Sequence, residues 1–530
     1  MLGSAKINGL VGHTGLYGDR FSKVQGAKAS TTKGSKAQYY PLAPPANHVY
    51  NPERPESYNL DALPLRTQDE YWKTIETLDC ALTNTARKAI TKQTGVSRLP
   101  LCATSPGFVH PSFFPLDPFH LFYENCMAFI WDLWTLTNSD EVFCLSSAKA
   151  REFGRLIPEA MSTLPPIFSG PVRDPFLKRQ SQYKMYEWMA LLHWYIIPIG
   201  LELGFSLDVL TNFAYFVQVV EFAMTPRPYQ VSDLQNLQGI IKKFFKTYEQ
   251  LYIGHNPENI SRSRLCIFQL AHVPIHIYWN GSIRVGSQAT VERSIGEMGH
   301  KIRSKKAPFA NLATLIFERE QIRLLKLYQP SLKVDSKSQT DSACLYSKMN
   351  IELTDPSIQV EVQLLNMWMN QHFPGKEFEF NTWGKARLKD KQTLQSTNYW
   401  NSTNKSSRRY TWFEVRLLHA FPQDIGGKFI PVFGEALNFY TIHHVKDEHV
   451  VVFRPLTSVH EVLGTWRGTW ALSIQIMSVQ DIVDLVGTWS YESSPYTYML
   501  RKHPAFTQLT SAELGIITTE DNAENTDISV

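Results

Sequence analysis

A chain of 530 residues exceeds what one hydrophobic core organises, so about three domains are expected. Hydrophobic residues at 43% against 19% charged exclude a disordered or fibrous protein, and an aromatic share of 12% requires large buried or stacking surfaces. A net charge of +4 permits nucleic-acid binding without demanding it, so the distribution of the cations matters more than their sum.

Six cysteines (Cys80, Cys102, Cys126, Cys144, Cys266, Cys344) lie far apart with no CxxC pair. That spacing argues against a disulfide scaffold or a cysteine-based zinc site and fits a reducing, intracellular compartment. The residues Met1-Leu2-Gly3-Ser4-Ala5-Lys6 lack the apolar core of a secretion signal. The most apolar stretch, 186–205, contains Glu187, His193, Pro198 and Glu202, so it reads as a buried helix pair, and no membrane partner is expected.

In chain order, residues 1–60 are rich in Gly, Lys, Ser and Pro, and 22–38 carries Lys23, Lys28, Lys33 and Lys36 as a mobile basic loop. Segment 67–94 has Tyr71, Ile75, Leu78 and Leu82 at helical spacing. Asp117-Pro118 marks the start of an apolar helix reaching Trp134, with an N-cap acid followed by proline. Residues 146–250 are strongly helical, and 234–252 is amphipathic, with Leu234, Leu237, Ile240, Ile241, Phe244, Phe245 and Tyr248 on one stripe. A short apolar element at 265–276 precedes helices at 290–306 and 310–327, and 333–342 reads as a linker. Beyond about residue 395 the runs 410–418, 449–454 and 471–477 are β-rich. The triplet Gly-Thr-Trp at 464–466, 468–470 and 487–489 is local bias, and the acidic tail from 507 is expected to be disordered.

Two segments hold residues suited to chemistry. In Phe114-Pro-Leu-Asp117-Pro-Phe-His120-Leu-Phe-Tyr-Glu124-Asn125, an acid at a helix start is followed one turn later by His120 on the same face. In 289–306, Glu292-Arg293 precedes Gly296, Gly299 and the basic run Lys301, Arg303, Lys305, Lys306. Each has a plain alternative. Asp117 caps its helix or holds a metal; Glu292-Arg293 is a solvated pair or part of a site; His120 is a satisfied core histidine or a ligand; the basic run is a solvated face or a phosphate contact. Trp466, Trp470 and Trp489 belong to the core or to a partner surface, and His443, His444 and His449 to a strand turn or a metal site. On chemistry alone the reading stops at a nucleic-acid binder.

Five blocks in order resemble the CACTA-type (En/Spm-like) DNA transposase family, in the version found in mushroom-forming fungi and related to the Kyakuja–Dileera–Zisupton group. They are Gly12-His-Thr-Gly15-Leu-Tyr17-Gly18 with Tyr39-Tyr40-Pro41; Asp117-Pro-Phe-His120-Leu with Asn125; Tyr183-Lys184-Met-Tyr-Glu187-Trp188; Val291-Glu292-Arg293-Ser-Ile-Gly296-Glu-Met-Gly299-His-Lys-Ile-Arg303 with Pro308-Phe-Ala-Asn311-Leu312; and Trp383-Gly384-Lys-Ala-Arg387-Leu388. The resemblance implies an α/β fold with an all-α insertion: an incomplete RNase H-like core interrupted by a helical domain and followed by a small β-rich domain. The boundaries would be 1–145 and 261–330 for the core, 146–260 for the insertion, 331–394 for a linker and helix, 395–503 for the β-rich domain and 504–530 for the tail.

The same resemblance implies two-metal phosphoryl transfer on transposon DNA ends in the nucleus, with Asp117 and Glu292 as the second and third acids holding Mg²⁺ or Mn²⁺. His120, Asn125, Arg293 and His272 would support them. Lys28, Lys33, Lys301, Arg303, Lys305 and Lys306 would meet DNA, and a homo-oligomer is allowed. The sequence departs from the family pattern at several points. No acid stands between Met1 and Gly12, where the first catalytic Asp would lie, so an N-terminally truncated or decayed and inactive copy is expected. Asp19 and Lys23 stand where the family has a cysteine pair, so zinc is not expected; Ala289 replaces a tryptophan, and Phe268 replaces a histidine ahead of the retained His272. The alternative is a non-catalytic DNA-binding or protein-interaction protein derived from a mobile element.

Overall fold

The computed structural model describes residues 7–28, 37–45, 54–136, 139–177, 183–302, 304, 306–329, 344–351, 355–356, 358–375, 379–388, 392–403, 408–415, 430–443 and 448–502. These residues form two compact units, the first from 7–154 with 175–288 and the second from 155–174 with 289–502.

The first unit is helical. Thr67 and Thr83 each accept a backbone N–H three residues on and so start the helices Gln68–Cys80 and Asn84–Thr94. Gly95, at φ 76°, closes the second in the left-handed conformation that glycine adopts without strain. Tyr71, Ile75 and Leu78 pack with Leu10, Val96 and Phe108. The Asp117-Pro118 start leads into a π-helical stretch, Phe119–Met127, and then the α-helix Ala128–Trp134. The apolar 186–205 stretch is mainly buried, within the helix Met185–Ala190, the π-helical Leu191–Tyr195 and the helix Ile196–Glu202. The expected amphipathic stripe lies on the helix Val231–Tyr248, which buries Leu237, Ile241, Phe244, Phe245 and Tyr248 and packs along Leu207–Met224. Leu207–Met224 is long and apolar enough to cross a membrane, but 61% of it is buried inside the protein.

The expected RNase H-like α/β core is not what the chain forms. Among the described residues of the first unit, β-structure is limited to three isolated bridges, Leu10 to Val96, Ser22 to Leu65 and Ala27 to Tyr39. Residues 265–280, assigned to the closing part of that core, are helical. The physical reason lies in how the N-terminal backbone is satisfied. Arg66 donates to the carbonyls of Tyr17, Asp19 and Thr94, and Arg54 donates to those of Gln25, Pro41 and Pro55. These carbonyls are satisfied by guanidinium donors in place of the N–H groups of a neighbouring strand.

The second unit is built around antiparallel strands: β1 (Cys344–Met349), β2 (Glu379–Arg387), β3 (Thr393–Gln395), β4 (Trp412–Val415), β5 (Val432–His443), β6 (Glu448–Val462), β7 (Thr465–Trp470), β8 (Gln475–Ser478), β9 (Ile482–Ser490) and β10 (Thr497–Arg501). The order β5-β4-β9-β10-β7-β6 closes on itself through β5–β6 pairing, giving a six-stranded barrel, while β1–β3 extend from β5 and β8 from β6. Trp412, Phe433, Leu456, Trp466, Val486 and Met499 form one core cluster of the unit. On the other side of β5 and β6, Tyr440, Ile442, Val450 and Val452 pack against Leu365 and Met369 of the helix Gln359–His372. Strands buried on both faces read as near-continuous apolar runs, which is the pattern of Ala436–Ile442 and 450–453.

Trp466 and Trp489 lie within β7 and β9 at 8% and 5% exposure, so they serve the core. The three Gly-Thr-Trp glycines have different jobs. Gly464 takes φ 84° in the β6–β7 turn, Gly468 sits against the Thr457 carbonyl and Gly487 against Leu164. Of the run 471–477, only 475–477 lies in a strand.

Candidate nucleic-acid interface

Asp117 stands just ahead of its helix, as an N-cap should. Its Oδ1 accepts the backbone N–H of Phe119 at 3.3 Å and of Gln288 at 3.1 Å, and its Oδ2 pairs with Nδ1 of His120. His120 Nε2 lies 3.5 Å from Glu124, and the Asn125 amide donates to the His120 carbonyl. The structure thus brings together Asp117, His120 and Asn125, but both carboxylate oxygens of Asp117 are engaged by protein donors. Among the described residues no three His, Cys, Asp or Glu side chains converge as a metal would need. As placed, Asp117 has protein donors on both carboxylate oxygens. The side chains of Glu292 and Arg293 lie outside the described residues; their backbone belongs to the helix Ala289–Lys301 of the second unit.

His272 is paired with a buried acid from the N-terminal segment. Its Nε2 meets Oδ2 of Asp19 at 2.8 Å, both side chains being fully buried. The same oxygen accepts the backbone N–H of Ser22 at 2.7 Å and the Ser22 hydroxyl at 2.6 Å. Burial pushes the Asp19 carboxyl up, but the His272 charge and the hydrogen bonds from His272 and Ser22 outweigh it and hold the group at about 2. Next to Asp19 in sequence, Arg20 is brought down to about 10 by burial, opposed by the charges of Asp19 and Asp117. This cluster is a structural tie between the N-terminal segment and the helical layer.

Two clefts flank the Gly12–Gly18 loop. Tyr40 braces the loop by donating its hydroxyl to the Gly15 carbonyl at 2.9 Å and accepting the Gly18 N–H at 3.0 Å. A side chain at Gly18 would meet the Gly12 carbonyl oxygen at 2.6 Å, so the tight loop depends on glycine there. The larger cleft, about 760 Å³, is lined by Thr14, Gly15, Lys28, Gln38, Asn84, Arg87, Lys88, Thr91, Lys92 and Ser97 among others. Asn84, Arg87, Lys88, Thr91 and Lys92 follow the i, i+3, i+4, i+7, i+8 spacing, so one helix stripe faces it. Among the described residues, four cations and no acid line this cleft.

The second cleft, about 580 Å³, holds His13, Arg20, Gln38, Tyr39, Glu124, Asn125, Asp132, Arg264 and Gln269 in its wall. Its charges balance, two arginines against two acids.

Of the cations the sequence singled out, Lys28 lines the larger cleft, and Lys301 and Lys306 are exposed in the second unit. Lys33, Arg303 and Lys305 lie outside the described residues, as does His444; Asn381 makes a 2.6 Å hydrogen bond to His443, and Thr441 one of 3.2 Å to His449. Sequence reasoning passed over Arg87, Lys88 and Lys92. The signal was present, since 84–94 has three cations and no acid at helical spacing. No family model matches this chain, and neither does a curated protein or a solved structure.

Proposed function

We propose that this chain is a DNA-binding protein derived from a cut-and-paste transposase, acting in the nucleus through binding rather than strand cleavage. The acid-free cleft of Lys28, Arg87, Lys88 and Lys92 carries the reading. A concave surface with four cations and no carboxylate attracts a polyanion, and releasing the counterions of that polyanion supplies the affinity. Hydroxyl and amide groups of Thr14, Asn84, Thr91 and Ser97 beside the cations suit phosphate oxygens. Engagement of both Asp117 oxygens by protein donors favours binding over metal-assisted hydrolysis.

The test is fluorescence anisotropy of the full chain on labelled duplex DNA across a salt series. If Arg87, Lys88 and Lys92 each neutralise one phosphate, the triple alanine variant flattens the slope of log K against log salt by about 2.7. An unchanged slope in the triple variant refutes the reading.

A further inference from the structure

Two buried polar side chains in the wall of the second cleft bear on what it holds. Arg20 and Gln38 both line it, and each is 7% exposed. The Arg20 Nε–H donor and the Gln38 Oε1 acceptor have no hydrogen-bond partner among the described residues. A ligand that carries both an acceptor and a donor is the chemical complement of these two groups. A nucleobase edge has that pattern.

The rest of the wall suits the same ligand. Tyr39 and Arg264 bring an aromatic ring and a guanidinium plane, both of which stack on bases, and Arg264 is itself held 4.0 Å over the Phe129 ring. Asn125 and Gln269 add amides. Glu124 and Asp132 offset the two arginines, so the cleft is poorly suited to a phosphate and better suited to a neutral polar plane.

Continuity ties it to the basic cleft. Gln38 lines both, and the Gly12–Gly18 loop supplies Thr14, Gly15 and Leu16 to one side and Gly12, His13 and Gly18 to the other. We infer that the second cleft takes the base of one unpaired nucleotide from the DNA strand whose phosphates lie in the basic cleft. This rests on the DNA-binding reading and adds a preference for DNA with a single-stranded end. A stacked, paired base cannot turn its face and Watson–Crick edge into such a cleft without leaving the helix.

The experiment uses the full chain with two duplexes of one sequence, one blunt and one with a three-nucleotide overhang carrying 2-aminopurine. The overhang duplex binds about tenfold more tightly, from the stacking worth of one base, and the 2-aminopurine fluorescence changes on binding. Gln269→Leu, and separately the exposed-site variant Arg264→Ala, bring overhang affinity to within about twofold of blunt affinity. Equal binding of the two duplexes by the wild type, or an unchanged 2-aminopurine signal, overturns the inference. Arg87→Glu/Lys88→Glu/Lys92→Glu separates the two levels. If it abolishes binding of both duplexes while the wild type shows no overhang preference, only the nucleotide cleft is wrong. If it leaves both unaffected, the DNA-binding reading and the inference resting on it fall together.

Discussion

Acidification should weaken the first unit by an amount set by three buried groups of opposing sign. His110 is stacked on Tyr71 at 4.1 Å and His276 is edge-on to Phe21 at 4.4 Å. Burial brings both imidazoles down to about 3, helped by Arg66 near His110 and by His272 and Arg20 near His276. The unfolded chain takes up these protons near pH 6.5, before the folded chain does. Their stabilisation is therefore complete above 6.5 and is lost as pH falls toward 3, at about 1.4 kcal/mol per pH unit for each group.

Glu249 works the other way. Burial raises it to about 7, against the backbone hydrogen bonds from Leu42 and Ala43, so the folded state binds its proton first and gains stability as pH falls from 7 toward 4.5. Between pH 7.5 and 5 the two imidazoles together cost about 4 kcal/mol and Glu249 returns about 2, a net loss of about 2. Asp19, held at about 2, does not titrate in this window.

Hydrogen exchange of peptides from Leu207–Met224, corrected for the intrinsic rate at each pH, reads the opening free energy of this unit. Glu249→Gln keeps an acceptor for the Leu42 N–H and should double the loss, to about 4 kcal/mol. Adding His110→Phe and His276→Phe should remove the dependence. A Glu249→Gln chain whose pH response matches that of its His-substituted derivative refutes the reasoning.

Three further outcomes follow from the packing. Asp19→Ala leaves His272 and Ser22 without their buried acceptor and should cost about 3–5 kcal/mol by urea denaturation, with Asp19→Asn costing less. In the barrel unit, the Glu361 carboxyl is raised by burial and accepts from Tyr440 and Asn438. Glu361→Gln, which retains an acceptor, should cost no more than about 1 kcal/mol, and Glu361→Ala about 2–3, read from exchange of β5. At Gly434 a Cβ would fall 2.5 Å from Phe453 and 2.8 Å from Phe413, so Gly434→Ala should destabilise the barrel by about 1–3 kcal/mol, visible as a lowered midpoint of its thermal transition.

Local chemistry was legible in the sequence wherever a residue's neighbours along the chain decide its state. The Asp117-Pro118 helix start, the apolar stripe of Val231–Tyr248 and the Trp412–Val415 strand depend on caps, periodicity and turn residues a few positions away. Lys28 in the basic cleft could likewise be proposed from its loop alone.

Only the tertiary structure decided the rest, because the deciding partners are far apart in sequence. Short blocks resembling a transposase suggested an RNase H-like core, yet a block does not specify whether its carbonyls meet a neighbouring strand or a buried arginine, and here Arg54 and Arg66 take them. Asp19 and His272 are 253 positions apart, and only the fold brings them together. The basic cleft exists because the acid-free stripe of Asn84–Thr94 is set against the segment carrying Lys28. Barrel closure depends on β4–β9 and β7–β10, whose strands are distant in sequence, and that long-range hydrogen bonding leaves no periodic signal in the strands.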